Sequence, residues 1–394
     1  MLSPLEGRRI WFVGIGGAGL SAYAQIAAAW GAEVGGWDRV DTPYLEPLRA
    51  HELVIAPEPV VRGDGWEIVV SSAYPGVAGT SRAEFLAELV ALRDAIVVAG
   101  AHGKTTTSGM IAFVLRQLGR DPAYAIGGEI PQLEGNAGTG EGWFVVEGDE
   151  SDRTIAALRP QIAVVLNVEL DHHSEFGSLA EMQRLFDEWT AHVPHVVRAG
   201  DLEPVDVELG VAGEHNKRNA AAALAALELA GVSRTEALPV LAEFRGAGRR
   251  LELRGEARGV LVYDDYAHHP SEIAAVLDAV QELSGGRVLV LFQPHLYSRT
   301  LHLAHEFGRV LAAADAVAVA DVYPAREQPV EGVTGKLVVD AVSDARPGAV
   351  VAWTPSAGEG ARWLAKLARE GDVLLTVGAG DVDACVPTIL EALA

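Results

Sequence analysis

The sequence has almost no cysteine: Cys385 is the only one among 394 residues. A single thiol cannot form an internal disulfide, and it cannot build a metal cluster by itself. Long apolar runs are also missing, since no uncharged stretch approaches the ~18–20 residues that a transmembrane helix needs. The short apolar run near the amino terminus has no small-residue cleavage site after it, which disfavours a signal peptide. We therefore expect a cytoplasmic protein that has no membrane partner.

Basic residues are scarce: 31 lysines and arginines stand against 54 aspartates and glutamates, giving a formal net charge of −23. Non-specific nucleic-acid binding needs a basic surface that neutralises phosphates, so this composition excludes a nucleic-acid partner. It does not exclude small phosphate ligands, because backbone N–H groups can bind a phosphate without net positive charge. With 49% hydrophobic and 22% charged residues, the chain has the composition of a folded globular protein.

Short β-branched runs alternate with helical stretches along most of the chain, a pattern that is typical of βα units in parallel sheets. The length exceeds the ~250–300 residues at which one hydrophobic core stops growing, so two or three domains are expected. The pattern predicts an α/β protein with domains at 1–92, 93–250 and 251–394, and residues 245–250 form a plausible hinge. The predicted strands are 9–13, 33–37, 66–70, 95–99, 143–146, 162–166, 260–263, 288–292, 316–320, 350–353 and 373–377, with one or two short strands between 192 and 214.

A glycine-rich turn lies between the first predicted strand and the first helix. It consists of Gly14, Ile15, Gly16, Gly17, Ala18 and Gly19. The turn fits the pattern G-x-G-x-x-G, and Asp38 ends the next strand at the spacing of a dinucleotide-binding unit. Glycines let the backbone approach a phosphate, and the helix N-terminus supplies partial positive charge. Alone, the motif predicts a phosphate ligand such as NAD, and a tight turn without a ligand is the alternative.

A second turn of this kind follows the apolar strand at 95–99. It consists of Gly100, Ala101, His102, Gly103, Lys104, Thr105 and Thr106. The Gly-Lys-Thr end of a Walker A loop is present, although Val98 stands where that pattern has its leading glycine. Lys104 can reach the β- and γ-phosphates of a nucleotide, and the Thr105 hydroxyl can bind Mg²⁺. A helix start with a solvated lysine is the alternative, and it leaves His102 and Gly103 unexplained.

Acidic residues follow the predicted strand at 143–146, from Glu147 to Asp152. Carboxylates at the end of a parallel strand beside a P-loop are typical of Mg²⁺ sites, although a solvated acidic loop is the alternative. The next strand ends in a segment that contains His172 and His173. At the same edge of the sheet, these histidines become candidate metal or phosphate ligands.

Polar residues also occur at helix and strand ends further along the chain. Asn216 and Asn219 lie three positions apart and share a helix face; capping would explain the first but not the second. In the third block, polar clusters follow several strands, which is where open α/β sheets bind ligands. These clusters, with the arginine that precedes them, supply Arg250, Asp265, His268, His295 and Arg299 as candidates.

Together these motifs resemble the Mur ligases of peptidoglycan synthesis, and most closely the members that add L-alanine to UDP-N-acetylmuramate. The resemblance covers nearly the whole chain in the right order, and the stretches at 292–300 and 321–329 are typical of the alanine-adding members. It implies an N-terminal Rossmann-like UDP-binding domain, a central P-loop ATPase domain and a C-terminal Rossmann-like domain. Because the stretch from 173 to 215 is shorter than in typical relatives, it also implies a compact central domain with reduced edge strands.

The resemblance implies a ligase that uses ATP and Mg²⁺ to convert the muramoyl carboxylate into an acyl phosphate, which the amine of L-alanine then attacks. By similarity, the UDP part of the sugar nucleotide binds at residues 14–19, Asp38, Ser71 and Ser72, and the ATP phosphates bind at residues 100–106. The implied metal ligands are Thr105, Glu147 and His172. The residues implied to hold adenine, phosphate and ribose are Asn216, Asn219, Arg250 and Asp265. Those implied to bind substrate are His268, His295 and Arg299. The implied catalytic residues are Lys104, Glu147, His172 and Arg299.

Three other functions are compatible with parts of the sequence. The same chemistry could attach a recycled tripeptide instead of L-alanine, although residues 292–299 favour a single amino acid. An NAD-dependent oxidoreductase would use the glycine turn and Asp38, but it would leave Lys104 and Glu147 without a role. A non-catalytic nucleotide-binding regulator would bind ATP without turnover.

Overall fold

A computed structural model describes residues 3–170, 175–325 and 327–394. The predicted residue His172 therefore lies outside the described residues. The chain divides into two compact units: the first comprises Met1–Glu169, Leu179–Val211 and Asn216–Ala247, and the second comprises Leu170–Ser178, Ala212–His215 and Gly248–Ala394. The first unit contains two β-sheets and the second contains one.

The first sheet of unit 1 is entirely parallel, with the strand order β3-β2-β1-β4-β5. Its elements are β1 (Arg9–Val13), α1 (Ala18–Ala29), β2 (Glu33–Asp38), a 3₁₀ turn (Pro43–Leu48), β3 (Glu52–Ile55), β4 (Glu67–Val70), β5 (Thr80–Ser81) and α2 (Arg82–Ala91). Strand β1 lies between β2 and β4, so the chain reverses its direction of winding there. Ligands of open α/β sheets bind at such a reversal, beyond the carboxyl ends of the strands.

The second sheet of unit 1 has the order β11-β10-β6-β9-β7-β8 and is parallel except for the β7–β8 pair. Its strands are β6 (Ala95–Ala99), β7 (Ala123–Ile130), β8 (Gly135–Thr139), β9 (Phe144–Glu147), β10 (Ile162–Val165) and β11 (His195–Arg198). The accompanying helices are α3 (Lys104–Gln117), α4 (Leu179–Thr190), α5 (Glu214–Leu229) and α6 (Arg234–Ala242). Between residues 192 and 214, all of which are described, β11 is the only strand.

Helix α1 joins the two sheets of unit 1, because it packs against β7 and β8 of the second sheet. The side-chain amide of Asn136, in β8, donates to the carbonyl oxygen of Ala18 at 2.9 Å. At the other end of α1, the ring of Trp30 meets that of Phe144 edge-on, with centroids 5.5 Å apart. The glycine turn and the second sheet are therefore parts of one packed body.

The sheet of unit 2 has the order β12-β13-β17-β14-β15-β16, and only β12 is antiparallel to its neighbour. The strands are β12 (Glu252–Ala257), β13 (Val260–Asp265), β14 (Val288–Phe292), β15 (Ala316–Val319), β16 (Val350–Trp353) and β17 (Val373–Val377). The helices are α7 (Pro270–Leu283), α8 (Tyr297–Leu311), α9 (Lys336–Ala345), α10 (Ala357–Leu367) and α11 (Val386–Leu393). Strand β14 is buried on both faces: Val290 lies in one core and Leu289 in the other. None of the helices in the described ranges is long and apolar enough to cross a membrane.

A buried ion pair connects three segments of unit 2. The Nε atom of Arg249 donates to Asp264 at 2.9 Å, and its two terminal nitrogens donate to the carbonyl oxygens of Gly378 and Gly380 at 2.8 and 3.0 Å. The carboxylate of Asp264 is fully buried and also accepts a 2.6 Å hydrogen bond from Thr376. Burial raises the pKa of Asp264, although the Thr376 and Arg249 contacts oppose that shift. The pair therefore ties β13 to the loop that follows β17.

We expect Arg249→Met to lower the free energy of unfolding of the protein by about 3 kcal/mol, because the carboxylate of Asp264 would lose Arg249 at 2.9 Å and retain Arg254 only at 4.0 Å. Lys336→Met serves as the control, since Lys336 forms an exposed ion pair with Asp340 on α9; this change should stay within about 0.5 kcal/mol. Urea unfolding of the full chain measures both values. Equal losses in the two variants would contradict this view of the Arg249–Asp264 pair.

Candidate active site

The glycine turn follows β1 and is shaped by close contact with the segment after β4. Gly14 has φ +88°, and a Cβ atom at that position would lie 2.7 Å from the Cβ atom of Ser71. Only glycine tolerates this conformation and this close approach. The backbone N–H of Ser71 also donates to the carbonyl oxygen of Val13 at 2.9 Å. The structure thus brings Ser71 and its neighbour Ser72 to the predicted phosphate turn.

Asp38, at the end of β2, fixes the conformation of this turn. Its Oδ2 atom accepts a 2.7 Å hydrogen bond from the N–H of Gly16, and its Oδ1 atom accepts one from Val40 at 3.2 Å. Thr42 donates to the carbonyl oxygen of Gly16 at 2.7 Å. The N–H of Gly16 is therefore committed to Asp38. An anion at the turn would bind mainly the N–H groups in the first turn of α1, which have no intrahelical partner.

Two glycines and one asparagine determine the conformation of the loop between β6 and α3. Gly103 is the N-cap of α3 in a left-handed conformation, with φ +82°. A Cβ atom at Gly100 would lie 2.9 Å from the carbonyl oxygen of Asn167, which follows β10. The side chain of Asn167 accepts from the N–H of His102 at 2.9 Å and donates to its carbonyl oxygen at 3.1 Å. Backbone N–H groups at the start of α3 are therefore presented at the edge of the sheet, as phosphate binding requires.

Lys104 is the first residue of α3, and its ammonium group is directed back into the loop. The Nζ atom donates to the carbonyl oxygen of Gly100 at 2.6 Å and to the two carboxylate oxygens of Glu150 at 2.9 and 3.0 Å. The side chain of Glu150 is only 1% exposed. Burial alone would lower the pKa of Lys104, but the charges of Glu150 and Asp149 outweigh burial and raise it. The lysine is therefore positively charged and is held in place by the loop that follows β9.

The predicted metal ligands Thr105 and Glu147 lie against adjacent residues of β7. The N–H of Gly127 donates to Oε1 of Glu147 at 2.7 Å. A Cβ atom at Gly128 would lie 3.3 Å from the methyl group of Thr105. A hydroxyl and a carboxylate supply the oxygen ligands that Mg²⁺ prefers. The chemistry of these two donors fits Mg²⁺.

The predicted asparagine pair of α5 lies beside the same loop. Asn219 donates to Oδ1 of Asn216 at 3.2 Å, and both side chains are buried. A Cβ atom at Gly103 would lie 2.5 Å from Oδ1 of Asn219, so this amide contacts the glycine directly. The structure therefore places Asn219, and Asn216 bonded to it, beside the loop at Gly103, the residue before Lys104.

Arg82 is a residue of this region that the sequence analysis missed. One terminal nitrogen of its guanidinium group donates to Asp149 and to Asp152, both at 2.9 Å. The other lies 3.5 Å from the position that a Cβ atom of Gly19 would occupy. Burial disfavours the ionised form of Asp149, but Arg82, Lys104 and a hydrogen bond from Ser151 outweigh burial and lower its pKa to about 2. Arg82 thus links the glycine turn to the acidic loop.

In unit 2, a second polar cluster lies beyond β13, β14 and β15. The Nη1 atom of Arg299 lies 3.2 Å from Nδ1 of His295, and Arg299 is only 3% exposed. The ring of His295 stacks on Tyr323 at 5.7 Å, and its centroid lies 5.9 Å from that of His268. Leu296 has φ +72°, a conformation that costs a branched residue about 1–3 kcal/mol. The cluster can present a buried cation and two imidazole rings to an anionic ligand.

Asp265 and Arg250 occupy the same unit, close to the end of β13. The two carboxylate oxygens of Asp265 accept 2.7 Å hydrogen bonds from the N–H groups of Leu251 and Ala267. Burial raises the pKa of Asp265 to about 6, although Arg250 opposes the shift. The guanidinium group of Arg250 lies 5.4 Å from the ring centroid of Tyr266 and 3.6 Å from the carboxylate of Glu272.

The described candidate residues therefore form two groups in each unit. In unit 1, the structure brings the 100–106 loop together with Glu147, Asn216 and Asn219, and the glycine turn together with Asp38, Ser71 and Ser72. In unit 2, it places His268, His295 and Arg299 in one cluster and Asp265 and Arg250 near the end of β13.

Three models of one family match the chain in sequence order. The model of the Mur ligase family catalytic domain matches residues 9–93, that of the Mur ligase middle domain matches residues 98–194, and that of the Mur ligase glutamate ligase domain matches residues 249–380. Together they cover well over half of the chain. The three-domain α/β architecture that the sequence predicts is confirmed.

Similar proteins agree with these matches. A UDP-N-acetylmuramate–L-alanine ligase of Kineococcus radiotolerans is 42% identical, with 98% of this chain and 96% of that protein covered. A protein of the same name from Paenarthrobacter aurescens is 39% identical, with 98% and 97% covered. The crystal structure of a UDP-N-acetylmuramate–alanine ligase from Thermotoga maritima has a TM-score of 0.78 and 26% identity, and it covers 97% of this chain and 98% of its own.

The chain belongs to the Mur ligase family. Its predicted class, an ATP-dependent amide-forming ligase, is likewise confirmed. The alignment with the Kineococcus protein extends over 455 residues, more than the 394 of this chain, so that relative contains segments that this chain lacks.

We expect Asp149→Asn to lower the free energy of unfolding at pH 7 by about 1 kcal/mol. The folded state holds the pKa of Asp149 near 2 against an ordinary value of 3.8, and because the side chain is 37% exposed, solvent screening reduces the stability gained from that shift. A lowered acid pKa contributes stability above pH ~4 that is lost as the pH falls towards 2. The difference between wild type and variant should therefore shrink over this range in urea unfolding at several pH values. Asp187→Asn, at an exposed site on α4, should unfold like the wild type at pH 7. A difference for Asp149→Asn that persists undiminished at pH 2 would contradict this assignment.

Proposed function

We propose that this chain joins L-alanine to the carboxylate of UDP-N-acetylmuramate, at the expense of ATP, in peptidoglycan synthesis. The observation that carries the proposal is the bridge within unit 1: Arg82 contacts the glycine turn and the acidic loop, whose Glu150 holds Lys104. Two phosphate-binding turns in one packed body suit a ligase that activates a carboxylate of a sugar nucleotide. Relatives named for this reaction align over nearly the full length of the chain.

The residues of the second loop support ATP as the phosphate donor. Lys104 carries a positive charge, and the start of α3 directs N–H groups towards the same space. Thr105 and Glu147, with His172 as a third candidate, would hold Mg²⁺, which offsets the negative charge of the transferring phosphoryl group. Because the chain has a net charge of −23, it would repel the phosphates of ATP and the carboxylate of the sugar nucleotide if the site lacked such local cations.

The proposed chemistry divides between the residues of the two units. In unit 1, the N–H groups after Gly17 bind the diphosphate, with Ser71 and Ser72 beside them, and Lys104 stabilises the γ-phosphoryl group as a carboxylate oxygen attacks phosphorus and ADP leaves. In unit 2, Arg299 and His295 bind the carboxylate of L-alanine, whose amine attacks the acyl carbon and expels phosphate. Asn216, Asn219, Arg250 and Asp265 would hold the remainder of ATP, and His268 would contact substrate.

The domain boundaries that accompany this proposal are 1–92 for the sugar-nucleotide domain, 93–250 for the ATP domain and 251–394 for the amino-acid domain. We place the reaction in the cytoplasm because it consumes ATP and a UDP-sugar.

We expect Lys104→Met to lower kcat for phosphate release by about 100-fold or more, because a preorganised cation at the phosphoryl group would be lost. The assay contains UDP-N-acetylmuramate, ATP, Mg²⁺ and either L-alanine or the recycled tripeptide, L-alanyl-γ-D-glutamyl-meso-diaminopimelate. Lys366→Met, at an exposed site in the last turn of α10, should retain wild-type turnover. Phosphate release with the tripeptide but not with L-alanine would reject the proposed substrate, and no release with either would reject the ligase reaction.

We expect Arg299→Met to raise the KM for L-alanine by about 10- to 100-fold, which corresponds to the loss of a charged hydrogen bond to the substrate carboxylate. The KM for ATP should change much less. Arg309→Met lies on the same helix, α8, at an exposed position, and it should leave both constants unchanged. An equal rise in both KM values for Arg299→Met would show a general disturbance of unit 2 instead of a carboxylate site.

A further inference from the structure

Arg82 has hydrogen-bond donors that the described part of the chain does not use. Of its three guanidinium nitrogens, only Nη2 donates hydrogen bonds, to Asp149 and Asp152. The Nε atom is buried and has no partner. A buried donor without a partner costs about 1–3 kcal/mol, so this arrangement is favourable only if something else compensates for it.

The position of Arg82 indicates which kind of ligand would accept its unused hydrogen bonds. Its Nη1 atom lies 3.5 Å from the Cβ position of Gly19, at the start of α1, and it donates no hydrogen bond within the described residues. The hydroxyl of Tyr23, on the next turn of α1, lies 4.0 Å from the same position. An anion at this helix N-terminus would therefore bind within reach of the guanidinium group, which suits oxygens of a diphosphate.

On its other side, Arg82 holds a loop whose own hydrogen bonds make it rigid. The N–H of Ser151 donates to Oδ1 of Asp149 at 2.9 Å, and that of Thr154 donates to Oδ1 of Asp152 at 3.0 Å. Glu150, which binds Lys104, lies between the two ends of this short segment. Arg82 and Lys104 are therefore both bound by one short segment, residues 149–152.

We propose that Arg82 is a positioning residue that couples the two nucleotide sites of unit 1. In this view, which rests on the proposed function, a diphosphate at the glycine turn accepts hydrogen bonds from Arg82 while Nη2 stays on Asp149 and Asp152. The guanidinium group is then bound on both sides, which stabilises the arrangement of the acidic loop in which Glu150 holds Lys104. Because the first ligand stabilises the arrangement that the second ligand binds, binding of each ligand strengthens binding of the other.

The test measures binding without turnover, in the full chain. The dissociation constant of a non-hydrolysable ATP analogue is determined by calorimetry with and without saturating UDP-N-acetylmuramate. In the wild type, we expect the sugar nucleotide to tighten binding of the analogue about 5- to 20-fold. The coupling ratio is the dissociation constant of the analogue without the sugar nucleotide divided by that with it. In Arg82→Gln, this ratio should fall to about 1, and the affinity for the sugar nucleotide itself should fall about tenfold.

Arg9→Gln provides the matched control. Arg9 also pairs with a carboxylate, that of Glu33, but it lies at the opposite end of β1 from the glycine turn, so the wild-type ratio should be retained. If Arg82→Gln fails to fold, Arg82→Lys replaces it, since lysine keeps the charge but has one nitrogen and should give an intermediate ratio. Asp152→Asn should also reduce the ratio without weakening sugar-nucleotide binding at the glycine turn.

Each of the other outcomes would contradict either the role proposed for Arg82 or the proposed function. A wild-type ratio of 1, or equal ratios in wild type and Arg82→Gln, overturns the coupling role of Arg82. A lower kcat in Arg82→Gln with the wild-type ratio retained also overturns it, because a merely structural role would produce that result. If the wild type binds no UDP-N-acetylmuramate at all, the proposed function is wrong. If the wild type binds it but the ratio does not depend on Arg82, only the Arg82 proposal is wrong.

Discussion

The buried carboxylate of Glu150 requires a cation beside it, and Lys104 is that cation. An uncompensated charge at this depth costs several kcal/mol, so the loop after β9 and the loop after β6 stabilise each other only while the pair is intact. Asp149 is partly exposed, and Arg82 likewise stabilises its ionised form. In a strongly acidic protein, Lys104 thus lies beside a buried carboxylate and Arg82 beside two partly exposed ones, and both cations lie where anionic ligands would bind.

Where hydrophobic patterning was strong, the sequence predicted the fold almost to the residue. Strands β1 and β6 have the predicted bounds, since each is a short apolar run followed at once by a glycine turn. The hairpin β7–β8 was missed, because Gly127 and Gly128 interrupt β7 and glycines make up two of the five residues of β8. Its antiparallel pairing is decided by packing against α1 and β9, which local sequence does not encode.

Some residues of the candidate site could likewise be predicted from the sequence, and others could not. Lys104, Glu147 and the glycine turn were predictable because parallel strands bring their carboxyl ends to one edge of a sheet. Arg82 could not be found by such reasoning: it follows a capping serine at the start of α2, and its partners lie 67 and 70 positions further along the chain. Asp38 stays a predicted substrate residue, and the structure adds that its carboxylate accepts a hydrogen bond from the N–H of Gly16, a contact that spacing alone does not reveal.

The packing of α1 on β7 and β8 has a consequence for inhibitor design. Since the glycine turn and the Lys104 loop belong to one packed body, the span between them is set by side-chain packing and by the hydrogen bond from Asn136 to Ala18. A bivalent compound with one anionic group for each turn would need no rearrangement inside this unit. Once its first group was bound, the second would meet its site at a high effective concentration, provided that the linker matched the span.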